Sequence, residues 1–276
     1  DNSVVLNGSD AAEDISIGLL PTDAASEQVL GLGPVINLLT FDGSFRNDLL
    51  TVNGRAGDDR IEVTDVDSPP LFTLAGNGGD DVLLGSAGDN TLLGGAGNDT
   101  FAGGGGTDEL DGGTGGDRIL VEGTPDDDTV AVGPDGTGDL EVTVNAAAST
   151  YTDTGAAGIS GANVESIRVE TMAGTDLLSV TPLADLPVVV DAGDPISALQ
   201  GTGDILNILS DGDAFTFEQG PESDEGRLTT DGHEPVSFDH VEELQVDGNT
   251  LILPDQFETN DSIDGATVLG SEHKIT

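Results

Sequence analysis

Five consecutive nine-residue repeats occupy residues 76–120 without a break. Their sequences are GNGGDDVLL, GSAGDNTLL, GGAGNDTFA, GGGGTDELD and GGTGGDRIL. Glycine fills positions one and four of every repeat, although only 41 of the 276 residues are glycine. Position eight is always a large apolar residue: Leu83, Leu92, Phe101, Leu110 and Ile119. An apolar residue at every ninth position argues against a flexible Gly/Asp-rich linker and predicts a repeated structural unit.

Each nonapeptide is interpreted as a turn followed by a very short strand. Glycine at fixed positions permits left-handed or crowded backbone, which a tight turn requires. One large apolar residue flanked by non-core positions is typical of a three-residue strand with a single inward side chain. Because one such unit cannot bury its apolar side chain alone, its neighbours must stack on it as successive coils.

An acid or its amide stands at position six of every nonapeptide. These residues are Asp81, Asn90, Asp99, Asp108 and Asp117. In stacked coils they would form a ladder of like charges, which is unfavourable unless a hard cation lies between the rungs. Carboxylates and turn carbonyls are the oxygen ligands that calcium prefers. The pattern therefore predicts Ca²⁺ as the bound cofactor.

The block resembles the repeats-in-toxin (RTX) nonapeptide, G-G-x-G-x-D-x-U-x, where U is a large apolar residue. The resemblance implies a calcium-binding β-roll in which two nonapeptides form one coil. Asp81, Asp99 and Asp117 would then line one side of the roll, and Asn90 with Asp108 the other. Asn90 offers no charge, so we expect a weaker site on its side. Carbonyls at positions one and three would complete the ligand shells: Gly76, Gly78, Gly85, Ala87, Gly94, Ala96, Gly103, Gly105, Gly112 and Thr114.

Looser copies of the same turn lie outside this block. The segment 54–61 keeps both glycines and an acid at position six, Asp59. Segments 123–130 and 171–178 keep one glycine and the acids Asp128 and Asp176. We expect these three aspartates to be further metal ligands.

Strand-like segments recur 35–38 residues apart in the rest of the chain, as in Val130–Val132 and Ile167–Val169. We interpret residues 1–75 as one degenerate β-helix unit, 76–120 as the calcium-binding roll and 121–254 as two further units. The predicted fold is all-β, a parallel β-roll and β-helix solenoid with little or no helix; separate β-sandwich modules are the alternative. Residues 255–276 resemble the opening of a pre-peptidase C-terminal-type domain, with a β-helix cap as the alternative.

Charge excludes several classes of function. The chain has 53 acidic and 7 basic residues, a formal net charge of −46. Such a surface repels nucleic acid and anionic lipid, and it calls for bound cations, high salt or both. No cysteine is available for disulfides or thiolate metal sites, and no apolar run is long enough for membrane insertion. Because the chain begins at Asp1, we expect it to be part of a longer protein.

Catalytic motifs are sparse. The histidines are His233, His240 and His273, with no Gly-x-Ser-x-Gly turn and no His-x-x-x-His pair. We therefore expect a non-catalytic, calcium-binding structural or adhesion module of a large secreted or cell-surface protein, which folds on binding calcium. Its expected partners are calcium ions and an extracellular polysaccharide or another cell-surface protein. The alternatives are a secretion or polymer-binding tail of a secreted hydrolase or epimerase, and a β-helix enzyme acting on polysaccharides.

Overall fold

The structure is a computed structural model that describes residues 3–20, 23–30, 36–38, 49–64, 71–135, 138–153, 163–193, 203–222, 224–252 and 267–268. All regular elements in these ranges are β-strands. The strands are β1 (Ser3–Asn7), β2 (Asp14–Leu20), β3 (Asp23–Leu30), β4 (Ile36–Leu38), β5 (Leu49–Ala56), β6 (Arg60–Val63), β7 (Leu71–Gly78), β8 (Val82–Leu84), β9 (Asn90–Ala96), β10 (Thr100–Ala102), β11 (Gly106–Thr114), β12 (Arg118–Glu122), β13 (Thr129–Pro134), β14 (Leu140–Val144), β15 (Ala147–Asp153), β16 (Ser166–Glu170), β17 (Leu177–Val180), β18 (Val188–Asp191), β19 (Ile205–Ile208), β20 (Phe215–Gln219), β21 (Gly226–Thr230), β22 (Val236–Asp239), β23 (Glu243–Val246), β24 (Asn249–Ile252) and β25 (Thr267–Val268).

The chain divides into two compact units. The first comprises Asp1–Ile119, Asp135–Leu140 and Ala148–Glu165, and the second comprises Leu120–Pro134, Glu141–Ala147 and Ser166–Thr276. The division into segments 1–75, 76–120, 121–254 and 255–276 remains a prediction from the sequence.

In the first unit the chain alternates between two stacks of parallel strands. One stack runs β1-β5-β7-β9-β11-β15. The other runs β2-β6-β8-β10-β12. Val82 pairs with Thr100, and Thr100 with Arg118, a step of 18 residues each time. Two nonapeptides therefore form one coil, as the resemblance to the RTX repeat implied.

The core of this unit consists of the position-eight residues. Leu83, Leu92, Phe101, Leu110 and Ile119 are completely buried. Burial of one such side chain contributes about 1.5–3 kcal/mol. Each coil supplies only two of them, so the stacking of coils, rather than any single repeat, builds the core.

The second unit is also built on parallel strands but has irregular coil lengths. Its two parallel stacks are β13-β17-β19-β23 and β16-β18-β22. Leu178, Leu206 and Leu244 occupy equivalent inward positions and are completely buried. The steps between these strands are 48, 28 and 38 residues, because the intervening segments differ in length.

Antiparallel strands lie at an end of three of these stacks. Strands β3 and β4 follow β2, strands β24 and β25 follow β23, and strands β21 and β20 follow β22. They pair with main-chain groups of the last parallel strand that would otherwise form an open edge. The parallel β-roll and β-helix prediction is confirmed over the sandwich alternative. Apart from Thr267–Val268, the predicted C-terminal segment 255–276 lies outside the described residues.

Candidate metal centre

A row of buried aspartates runs along one side of the first unit. Asp59, Asp81, Asp99 and Asp117, here the first acid row, each stand directly before a strand of one stack. Their exposed fractions are 2, 1, 0 and 1 %. Carboxylates are seldom fully buried without a partner of opposite charge. The structure thus brings Asp81, Asp99 and Asp117 together on one side, as the resemblance implied, and adds Asp59 to the same row.

Main-chain hydrogen bonds link the rungs of this row. The N–H of Asp59 donates to Oδ1 of Asp81 and the N–H of Asp81 to Oδ1 of Asp99, each at 2.8 Å. The N–H of Asp99 donates to Oδ1 of Asp117 at 2.7 Å. One carboxylate oxygen of each of these three acceptors is therefore satisfied by the neighbouring coil.

The second carboxylate oxygen of each rung is left without a partner. Oδ2 of Asp59, Asp81, Asp99 and Asp117 is buried and has no hydrogen-bond partner among the described residues. An unsatisfied buried acceptor carries a desolvation cost of about 1–3 kcal/mol, and more when it is charged. Four such oxygens in one row fit a ligand that supplies positive charge.

The position-one glycines make room for these free oxygens. A Cβ atom built on Gly76 or Gly94 would overlap Oδ2 of Asp81 or Asp99, respectively. Neither glycine has a positive φ, whereas the position-four residues Gly79 and Gly97 have φ of +131° and +136°. Gly79 and Gly97 are therefore required by their left-handed backbone conformation, whereas Gly76 and Gly94 are required because the adjacent carboxylate leaves no room for a side chain.

Burial and like charge both disfavour ionisation of the row. Burial, with a smaller contribution from neighbouring carboxylates, raises the pKa of Asp81 and of Asp99 from 3.8 to about 6, although the hydrogen bond from the adjacent main-chain N–H acts to lower it. The pKa values of Asp59 and Asp117 are raised for the same reasons. A cation held between the carboxylates would reverse this effect, because opposite charge favours the ionised form.

The opposite side of the roll has a different chemistry. The main-chain N–H and the side-chain amide of Asn90 both donate to Oδ1 of Asp108 at 2.9 Å. Asp108 is completely buried, its Oδ2 has no partner among the described residues, and burial raises its pKa to about 7. Tyr151 pairs with Asp108 in the next strand, and its hydroxyl accepts a hydrogen bond from the N–H of Gly103 at 3.0 Å. An amide and a phenol thus flank Asp108, the buried carboxylate on this side.

Side chains alone do not form a metal cage in the described part of the chain. No group of three or more His, Cys, Asp or Glu side chains there lies close enough to hold an ion. Backbone carbonyls must therefore supply much of any coordination. The carbonyls of Gly78, Ala96 and Thr114, at position three, each accept one hydrogen bond from the preceding coil, at 2.8–2.9 Å. A second lone pair remains on each of these oxygens.

A second acid row lies within the second unit. It consists of Asp128, Asp176 and Asp204, each directly before a strand and 0–2 % exposed. The N–H of Asp128 donates to Oδ1 of Asp176 at 2.7 Å, and that of Asp176 to Oδ1 of Asp204 at 2.6 Å. The looser turns around Asp128 and Asp176 thus adopt the rung arrangement of the first acid row.

Sequence reasoning missed Asp204 and three glutamates that complete the rows. Glu13 donates its N–H to Asp59, while Glu165 and Glu242 accept the N–H of Asp117 and Asp204. One sequence feature could have found them. Like the position-six acids, each of these four residues stands two positions before a completely buried apolar residue. The buried residues are Ile15 after Glu13, Ile167 after Glu165, Leu206 after Asp204 and Leu244 after Glu242.

An exposed row at position five runs beside the buried one. Oδ1 of Asp58 accepts the N–H of Asp80, Oδ1 of Asp80 accepts that of Asn98, and Oδ1 of Asn98 accepts that of Gly116, at 2.7–2.9 Å. These side chains are exposed, so water can satisfy their remaining oxygens. Only the buried rows call for a cation.

Two of the three histidines, His233 and His240, lie among the described residues. His233 is partly exposed and its Nδ1 lies 3.1 Å from the carbonyl oxygen of Asp231. Nδ1 of His240 lies 3.0 Å from Oδ1 of Asp191, whose Oδ2 pairs with Arg168 at 3.2 Å. His273 lies outside the described residues. Among the described residues, no helix long and apolar enough to cross a membrane is present.

Comparison with known families agrees with this geometry. Residues 73–101 and 84–119 match the RTX calcium-binding nonapeptide repeat, in four copies. No curated protein matches the chain. The matched residues hold most of the first acid row and both nonapeptide sides of the roll. This segment of the chain is therefore made of RTX calcium-binding nonapeptide repeats.

Proposed function

We propose that the chain is a calcium-binding structural module whose roll folds around calcium ions. One observation carries this proposal: the free Oδ2 atoms of the first acid row are buried, aligned and without a partner among the described residues. An apolar core does not leave such oxygens in place unless something else satisfies them. A hard cation does so and also removes the repulsion between rungs.

The ligands follow from the turns. On one side, Asp59, Asp81, Asp99 and Asp117 supply carboxylate oxygens. Carbonyls of these turns supply the rest: Gly76, Gly78, Gly94, Ala96, Gly112 and Thr114. On the other side, Asp108 and the neutral Asn90 act with carbonyls of the intervening turns: Gly85, Ala87, Gly103 and Gly105. We expect weaker binding on this second side, because it has one charge where the first has several.

Calcium would act through folding. Bound calcium ions would neutralise the negative charges of the first acid row, whose mutual repulsion otherwise destabilises the folded state. Because the turns exist only in the folded chain, each ion stabilises that state by about 1.4 kcal/mol for every tenfold rise in calcium above its Kd. Dissociation constants near 10⁻⁴ to 10⁻³ M, of the order found in extracellular modules, suit this role.

The location and role of the module follow from this coupling. A chain that needs about millimolar calcium is best suited to the outside of a cell. We infer that it belongs to a secreted or cell-surface protein, where it acts as a stiff, non-catalytic spacer or adhesion segment. An extracellular polysaccharide or another surface protein is the partner that this role implies.

The test is a calcium titration of the chain by circular dichroism. In EGTA we expect loss of the β signal in the far ultraviolet, and its recovery on addition of calcium. Tyr151, the one tyrosine in a chain without tryptophan, is buried beside Gly103 and reports on the roll in the near ultraviolet. An unchanged spectrum between EGTA and saturating calcium would remove the proposal.

A further inference from the structure

The second unit holds two buried carboxylate oxygens that the nonapeptide roll does not explain. Oδ2 of Asp176 and Oδ2 of Asp204 have no hydrogen-bond partner among the described residues. Asp176 is 1 % exposed and Asp204 is completely buried. Both lie outside residues 73–119, so the family match assigns no role to them.

The two side chains belong to adjacent coils. The N–H of Asp176 donates to Oδ1 of Asp204 at 2.6 Å, and strands β17 and β19 pair in parallel from Leu177 and Ile205 onward. The carboxylates of Glu242 and Asp176 both act electrostatically on Asp204. Two buried carboxylates therefore lie in neighbouring turns of adjacent coils.

Protein cations do not neutralise this pair in the described part of the chain. Arg168, a basic residue of the same unit, pairs with Glu170 and Asp191 instead. Asp128, the third member of the second acid row, differs from the other two because its carboxylate accepts hydrogen bonds from the N–H and hydroxyl of Thr124. Within the second acid row, the carboxylate oxygens without a partner among the described residues thus belong to Asp176 and Asp204.

We propose that Asp176 and Asp204 form a second, separate calcium site, with carbonyls of the turn 171–176 as the remaining ligands. All available donors are oxygens, which selects a hard cation, and the mixture of carboxylates and carbonyls suits calcium's flexible coordination. The arrangement repeats the rung geometry of the first acid row, although the coil length here is 28 residues instead of 18. The site is independent of the roll and would bind calcium even if the roll did not.

The experiment compares the variants Asp204→Asn and Asp213→Asn with the original chain. In Asp204→Asn the amide oxygen still accepts the N–H of Asp176, but an NH₂ group replaces the free oxygen. Asp213→Asn removes an equal charge from an exposed turn of the same unit. Calcium bound per chain at saturation is measured by equilibrium dialysis with metal analysis, and the near-ultraviolet signal of Tyr151 follows the first unit.

We expect Asp204→Asn to bind one ion fewer than the original chain, with the calcium midpoint of the Tyr151 signal unchanged. Asp213→Asn should bind the original number. An undiminished ion count in Asp204→Asn overturns the site. If the Tyr151 signal ignores calcium while Asp204→Asn still loses an ion, the proposed folding of the roll fails and the second site stands.

A second measurement decides the matter if Asp204→Asn does not fold. Hydrogen–deuterium exchange follows residues 171–180 and 203–210 during a calcium titration, in the original chain and in the roll variant Asp99→Asn. The site predicts calcium-dependent protection there, with a midpoint that Asp99→Asn leaves in place. Protection that is absent, or whose midpoint moves with that of the roll, overturns the proposal.

Discussion

Replacing Asp99 with asparagine should reduce the number of calcium ions that are coupled to folding. Asp99 is the middle rung of the roll: its Oδ1 accepts the N–H of Asp81, and its own N–H donates to Asp117. An asparagine keeps both hydrogen bonds and loses only the charge and the free Oδ2. If ions lie between successive rungs, as proposed, Asp99 contributes to the site on each side of it, so one substitution weakens two sites.

The magnitude follows from linkage. An ion present at about 100 times its Kd stabilises the folded state by about 2.7 kcal/mol, so two ions contribute roughly 5 kcal/mol. Removing the buried charge offsets part of this loss. Raising the pKa of Asp99 from 3.8 to about 6 corresponds to roughly 3 kcal/mol between its two protonation states. Leaving an amide donor unpaired costs about 1–3 kcal/mol in turn. We therefore expect a net loss of roughly 3–5 kcal/mol in saturating calcium.

Urea unfolding between about 10⁻⁴ and 10⁻² M calcium measures this loss. The free energy of unfolding should rise by about 1.4 kcal/mol per bound ion for each tenfold increase in calcium. Asp99→Asn should lower that slope by the equivalent of two ions. Glu109→Gln removes an equal charge from an exposed position of β11 and should leave the slope unchanged. Equal slopes for Asp99→Asn and the original chain would refute the reasoning.

Three further predictions concern the roll. Gly76→Ala places a Cβ against Oδ2 of Asp81, so in calcium it should lower the free energy of unfolding by about 2 kcal/mol or more, measured by urea unfolding. In the control variant Gly78→Ala the Cβ meets only the carbonyl oxygen of Arg55 at 3.7 Å, so the loss should be under about 1 kcal/mol. Tyr151→Phe leaves the buried N–H of Gly103 without its acceptor and should lower the free energy of unfolding by about 1–3 kcal/mol, measured in the same way. The folded-state pKa values of about 6 exceed the unfolded value of 3.8, so the stability due to the protonated rungs is complete below pH 3.8 and disappears as the pH rises through about 6. In EGTA, part of the lost β signal should therefore return as the pH is lowered from about 8 to about 5. In saturating calcium the urea midpoint should instead fall over the same change, because protons compete with calcium. A β signal in EGTA that does not respond to pH would contradict the account.

The strict nine-residue period explains which features of the fold and of the candidate site could be predicted from the sequence. Every nonapeptide places its sixth and eighth residues in equivalent environments, so the burial of Leu83 or Phe101 and the alignment of Asp81 with Asp99 follow from spacing alone. The same logic extended to Asp59, because its turn keeps both glycines. The fold class was predictable for the same reason.

The variable length of the other coils explains which residues of the acid rows could not be predicted from the sequence. Steps of 46 residues to Glu13, 48 to Glu165 and 38 to Glu242 hide these rungs from a search for fixed spacing. Tyr151 pairs with Asp108 on the second side of the roll although it lies 43 positions further along the chain. No glycine-containing turn of the repeat type precedes Tyr151, so the sequence did not predict this pairing. The spatial reason for glycine at position one also needed coordinates, since only the carboxylate position shows what a side chain there would meet.

Crystals of the chain grown in calcium, with anomalous diffraction data, give the most direct test of the central claim. We expect anomalous peaks between successive rungs of the first acid row, about 2.3–2.6 Å from Oδ2 of Asp81, Asp99 and Asp117. A map in which these carboxylates stay buried and aligned, with no peak beside them at saturating calcium, would contradict it.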